Sequence, residues 1–213
     1  MNDYQNRLEW AINNRTVTDW HTDAGMAILL SIITCGIYGL YVYYKLMERR
    51  DEHFKRTAAV VDTSIAWLRE RAAGKEQQIA PELQELEQIR QAMIMQSAER
   101  GAAVWLLLLI FTSLVGYFIF FYLLMKDWRE HDAYEARYFT LMSSALAKVG
   151  LSQQAGQALP DIPEREFVTY AILTVVTCGI YGLYWTYVMI DDGNNHLDVQ
   201  VSWEDYILAS LRG

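Results

Sequence analysis

Charge is missing from three long stretches of this 213-residue sequence. Residues 24 to 44, 102 to 125 and 167 to 190 contain no Asp, Glu, Lys or Arg, so 69 residues are charge-free and all 44 charges crowd into the other 144. Surplus basic charge is also missing. A net charge of -8 and a pI near 5.0 exclude a general nucleic-acid binder, which would carry a basic patch or stripe. The two cysteines, Cys35 and Cys178, both sit in apolar stretches and are too few for a disulfide framework or a thiolate metal site. Residues 1 to 23 are polar and slightly acidic, with no short apolar run ending in small residues, so no cleaved signal peptide is expected.

What is present explains the mean hydropathy of +0.02, which averages two unlike populations. Each charge-free block is 21 to 24 residues long, close to the roughly 20 apolar residues a helix needs to cross ~30 Å of hydrocarbon. The pattern excludes a soluble globular enzyme. It predicts an all-α membrane protein with transmembrane helices over 24–47, 102–125 and 167–190, an N-terminal interfacial segment over 1–23 and a C-terminal interfacial helix over 191–213. Between the first two spans, residues 48–101 read as a helical-hairpin stalk. Phe54, Ala58, Val61, Ile65, Leu68 and Ala72 form one apolar stripe and Ile79, Leu83, Leu86 and Met93 the other, with Gly74 and Pro81 at the turn. Residues 126–166 hold an amphipathic helix with Tyr134, Tyr138, Leu141, Ala145 and Val149 on one face, then a linker. Shorter apolar stripes appear at Tyr4, Leu8, Ala11 and Ile12, and at Trp203, Tyr206, Ile207 and Leu211. With the stalk inside, ten positive residues face seven, the orientation the positive-inside rule selects.

The chain repeats itself. A slide of 143 residues superposes Thr34-Cys35-Gly36-Ile37-Tyr38-Gly39-Leu40-Tyr41 on Thr177-Cys178-Gly179-Ile180-Tyr181-Gly182-Leu183-Tyr184, and pairs Tyr44 with Tyr187 and His53 with His196. A slide of 78 adds a degenerate copy, pairing Thr34 with Thr112, Tyr44 with Tyr122 and His53 with His131. Ser31, Cys35 and Gly39, echoed by Thr174, Cys178 and Gly182, fall at i, i+4 and i+8. Small residues at that spacing allow close helix approach in lipid, which makes these residues, with Gly36 and Gly179, a helix-packing seam. The alternative is that Gly36 and Gly39 break the helix into a re-entrant element, tolerated at membrane depth only inside protein or along water.

The pairs Tyr44/His53, Tyr122/His131 and Tyr187/His196 each lie nine residues apart, close to the membrane edge. With three crossings the first and third spans end on one face and the second on the other. His53 and His196 can then meet, but His131 cannot join them. Two histidines fall short of the ligands zinc needs, so no metal, cofactor or catalytic site is expected.

The repeated Thr-Cys-Gly-Ile-Tyr-Gly-Leu-Tyr followed by Trp185, with Lys126-Asp127-Trp128-Arg129-Glu130-His131, and Asn194-Asn195-His196 before Trp203-Glu204-Asp205, resembles the prokaryotic membrane proteins grouped as domain of unknown function 4234. The resemblance covers about residues 22 to 210. Val42 stands where a tryptophan is expected in the first copy. The family has no established activity, so the resemblance implies location in a prokaryotic plasma membrane and nothing of mechanism. The expected function is therefore non-catalytic: a structural or assembly subunit of a homo-oligomer or larger membrane complex, with the lipid bilayer as partner and no nucleic acid. A transporter or channel component using Gly-broken helices is the alternative.

Overall fold

The computed structural model describes residues 3–152 and 156–212, with the side chains of Leu211 and Arg212 outside the described set. The described residues form helices and no strand. In chain order these are α1 (Asp3–Asn13), α2 (Arg15–Thr18), α3 (Ala24–Ile33), α4 (Ile37–Arg71), α5 (Ala80–Gln96), α6 (Ala102–Val149), α7 (Phe167–Val176) and α8 (Ile180–Arg212), with a 3₁₀ turn at Glu76–Gln78.

The charge-free blocks are not straight helices. The first begins where Asp23 caps α3 by accepting the Met26 N–H at 2.6 Å. It reverses ten residues later. Cys35 (φ 49°) and Gly36 (φ 92°) take left-handed backbone conformations, and the Gly36 N–H closes a six-residue ring on the Ser31 carbonyl at 2.8 Å, as in a Schellman stop. Thr34 then starts α4, its hydroxyl accepting the Tyr38 N–H at 2.9 Å. The chain has folded back: a Cβ added at Gly39 would lie 3.5 Å from the Ser31 hydroxyl, eight residues earlier, where a straight helix would separate them by ~12 Å.

The third block does the same. Cys178 (φ 50°) and Gly179 (φ 93°) form the reversal, Thr177 accepts the Tyr181 N–H at 2.9 Å, and Gly182 faces Thr174. The second block, inside α6, turns at Ser113 (φ 46°, ψ -116°). There the rings of Trp105 and Phe120 are 6.0 Å apart, against ~22 Å along a straight helix. Cys35, Ser113 and Cys178 stand at offsets of 78 and 143, the offsets that align the sequence with itself. One helix, Ala102–Val149, is long and apolar enough to cross a membrane by length and composition. Its apolar part is the part bent at Ser113.

Each hairpin is tied at its foot from one equivalent position on the outgoing helix. Arg49 donates to the Trp20 carbonyl at 3.3 Å, Asp127 accepts from Arg100 at 2.6 and 2.8 Å, and Asp192 accepts from Arg165 at 2.7 Å through both oxygens. Midway between turn and foot the outgoing helices meet through Tyr43, Phe121 and Trp185, and Tyr43 lies 3.3 Å from the Thr186 hydroxyl.

Beyond the hairpins, residues 48–101 are not a projecting stalk. α4 and α5 are antiparallel, as the pairs Lys55–Glu99, Asp62–Arg90 and Arg69–Glu87 require, and both pack with α1, α6 and α8 around one core containing Leu8, Ile12, Val61, Trp67, Leu86, Tyr138, Leu146 and Ile207. The terminal stripes expected at the membrane interface, and the linker stripe, thus pack into this helical body through Leu8, Ile12, Tyr138, Ala145, Val149 and Ile207, whereas Tyr134 is exposed and the Leu211 side chain lies outside the described residues. Their apolar faces meet each other.

Candidate metal centre

Where the hairpins enter the body, the three outgoing helices carry His53, His131 and His196 inward. The expectation that His131 lies across the membrane from the other two does not hold, because a block that reverses delivers its end to the side it started from. The rings are 5.2 Å (His53–His131), 5.6 Å (His53–His196) and 6.2 Å (His131–His196) apart. Glu135, one helical turn beyond His131, reaches all three Nε2 atoms: 3.2 Å from His131, 3.1 Å from His196 and 4.0 Å from His53. One donor atom from each of these four residues fits within 4.8 Å of every other, so the set would draw in by up to about 1.5 Å to reach the ~3.3 Å edges of a tetrahedron with zinc–ligand bonds of 2.0–2.1 Å. None of the four side chains is more than 3% exposed.

Two of the other ring nitrogens are held from outside, while His131 Nδ1 is buried without a partner. His53 Nδ1 lies 3.1 Å from Asp19, and His196 Nδ1 lies 2.9 Å from Asp161 and 3.3 Å from Asp132. A carboxylate on one imidazole nitrogen fixes the tautomer and turns the other nitrogen's lone pair toward a shared point, the arrangement of metal-bound histidines. His131 is fixed by packing, its ring stacked 3.8 Å from Phe54, and Trp128 stacks on His53 at 5.3 Å. Gln200 donates to Glu135 at 2.6 Å and to Thr57 at 3.3 Å, while Arg56 donates to Gln200, Asp19 and Glu204.

Several polar atoms in this shell lack partners. The Nε2 atoms of His53, His131 and His196 are buried without a hydrogen bond, despite the nearness of Glu135. Such atoms are costly unless something bonds them. Burial holds His53 down at about 4 and lowers His131 as well, leaving neutral imidazoles. Burial also works against the Asp19 carboxylate, but His53 and Arg56 overcome it and hold the group at about 2. Burial likewise opposes charge on Glu135 and His196, but His131 and then His196 hold Glu135 well below the usual carboxylate range, and Asp132, Asp161 and Glu135 hold His196 well above the usual imidazole range.

The expected seam residues fall into two groups. Ser31 with Gly39, and Thr174 with Gly182, face each other across the two legs of a hairpin, so the seam lies within each unit. Cys35, Gly36, Cys178 and Gly179 form the exposed turns. Tyr44, Tyr122 and Tyr187 stay on the outer surface, with Tyr44 donating to Glu48 at 3.0 Å. They take no part in the histidine cluster.

The fold and site together define an all-helical protein of three hairpins around a histidine–carboxylate centre. The family model for Domain of unknown function (DUF4234) matches residues 22–68 and 165–207. The two matched stretches, 90 of the 213 residues, contain the first and third hairpins with His53 and His196. No curated protein and no solved structure matches the chain.

Sequence reasoning missed Glu135, Asp19, Asp132, Asp161 and Gln200. A signal was available for two of them: the slides of 78 and 143 set Thr57, Glu135 and Gln200 in one column, four residues after the aligned histidines.

Proposed function

We propose that this chain is a membrane protein built around a bound transition-metal ion, with zinc the best fit, held by His53, His131, His196 and Glu135. The ion's role on this reading is to fasten three hairpin units into one body. The observation that carries it is the convergence of three buried Nε2 atoms on one carboxylate, with two of the three imidazoles braced from behind by Asp19 or by Asp132 and Asp161. Imidazole and carboxylate suit zinc and its first-row neighbours, whereas calcium and magnesium take all-oxygen sets. Four protein ligands in a buried site correspond to a closed structural centre, since a catalytic zinc keeps one position for water. That favours a non-catalytic structural or assembly subunit over an enzyme. A small crevice lined by Asp132, Asp161, Glu135, His196, Gln200 and Trp203 supplies an entry path for the ion.

The test is metal analysis of protein purified in mild detergent without chelator. About one zinc-class ion per chain is expected, falling to near zero in His53→Ala, His131→Ala and His196→Ala. Cobalt substitution should give visible absorption of tetrahedral strength. Protein that folds metal-free and binds neither zinc nor cobalt stoichiometrically would sink the proposal.

A further inference from the structure

The apolar hairpins raise a separate question, which stands whether or not the centre binds metal. We propose that the three hairpins insert side by side into one leaflet of a lipid bilayer and none crosses it, so that both termini and the whole helical body face one aqueous compartment.

Depth is the first argument. α3 and α7 are ten residues each, about 15 Å long, or half of the ~30 Å hydrocarbon core. Direction is the second. The outgoing helices meet at Tyr43, Phe121 and Trp185 about midway along their legs and again at His53, His131 and His196 just beyond the feet. They therefore run parallel, and all three reversals lie at the same end.

The third argument is chemical. The tips present Ile33, Ile37, Phe111, Val115, Val176 and Ile180 outward, each at least 64% exposed, with no charge in the blocks to solvate them. Yet at the first and third turns the backbone donors from Thr34 to Tyr38 and from Thr177 to Tyr181 are all occupied. The N–H groups of Thr34, Cys35, Gly36 and Ile37 all find carbonyls and that of Tyr38 finds the Thr34 hydroxyl; the N–H groups of Thr177, Cys178, Gly179 and Ile180 find carbonyls and that of Tyr181 the Thr177 hydroxyl. Threonine side chains give their own protons back to carbonyls of the incoming leg, Thr34 to Leu30, Thr112 to Leu108 and Thr177 to Leu173. Water would make such accounting unnecessary at an exposed turn, whereas hydrocarbon demands it. Lys45 and Lys126 mark the edge of the apolar zone, and Trp20, Tyr44, Tyr122 and Tyr187 sit around it as aromatic residues do at a bilayer interface. This belt commits the surface to lipid.

The native cysteines make the test direct, because Cys35 and Cys178 sit at two of the tips and are the only thiols in the chain. A permeant fluorescent maleimide on either, in vesicles of lipids brominated at different acyl positions, should be quenched most by bromines deep in the chain. A membrane-impermeant maleimide should label neither from either side. In a Cys35→Ser/Cys178→Ser background, Glu76→Cys, Leu159→Cys and Asp198→Cys should all label from one and the same side. Leu159→Cys labelling from the side opposite Glu76→Cys would restore three crossings and overturn the proposal. So would labelling of Cys35 or Cys178 by the impermeant reagent, and so would protected cysteines that no brominated lipid quenches, which would put a protein partner on the tips.

Discussion

His131→Ala is the most informative single change, because a three-span topology makes His131 irrelevant to His53 and His196 while the folded-back hairpins make it their equal. Two effects must be separated. Truncation removes a ring stacked on Phe54 and 1% exposed, and leaves a cavity of the kind that costs about 2–5 kcal/mol whether or not metal is present. Loss of one ligand of four acts only when metal is bound. Structural zinc binding is worth about 10–16 kcal/mol in small domains, so an equal share per ligand is about 2.5–4 kcal/mol. The assay is thermal unfolding in detergent, with and without a strong chelator, for both proteins. For a chain of this size each kcal/mol moves Tm by roughly 2–4 °C, so the chelator-dependent part of the stability should shrink by roughly 5–16 °C in the variant while the chelator-independent part records the cavity. If chelator shifts the wild type and His131→Ala equally, His131 is no ligand and the metal reading fails.

Other consequences can be checked more simply. Asp161→Asn, which keeps all four ligands but weakens the brace on His196, should lower metal affinity about 10–100-fold at unchanged stoichiometry, measured by chelator competition. Gly39→Ala should be tolerated, its Cβ meeting Ser31 at an ordinary 3.5 Å, whereas Gly182→Ala brings a Cβ 2.9 Å from the Tyr117 hydroxyl and should lower Tm; equal effects would contradict the hairpin packing. Glu204 is pushed up by burial to about 7 from an ordinary 4.5, even against Arg56. A carboxyl raised on folding holds its proton more tightly in the native state, so stability should fall as pH rises from 4.5 to about 7, and Glu204→Gln should flatten that slope in denaturant titrations. Asp127→Asn, which takes the carboxylate from half-buried Arg100 and leaves buried Arg50 with the Asp51 carboxylate, should lower Tm, read by thermal unfolding in detergent.

The sequence carried the existence of the helices, the repeat and the body's apolar stripes in plain view, because period and identity are local properties. Hydropathy could not show the reversals: a run of 21 to 24 apolar residues satisfies one span of ~30 Å and equally two ten-residue legs with a turn. The deciding signals were small. A threonine able to cap the next helix precedes a residue forced left-handed, Cys35, Ser113 or Cys178, and only two of the three turns advertise themselves with glycine. Once the spans were read as straight, His131 fell on the wrong side and Glu135 had no site to belong to. The centre was lost through topology, since its residue types were visible throughout.

The foot positions Arg49, Asp127 and Asp192 set the first of the three look-alike hairpins apart from the other two. Aligned by the repeat they occupy one site, but the first carries the opposite charge and docks on a carbonyl, while the other two grip arginines that precede their own hairpins. Were the second or third outgoing helix to pair with the first incoming leg, a carboxylate would face the Trp20 carbonyl; were the first to take either other place, Arg49 would meet Arg100 or Arg165. Each exchange that involves the first hairpin sets like against like. The first unit is thereby kept from trading places with the other two within a chain or between neighbouring copies.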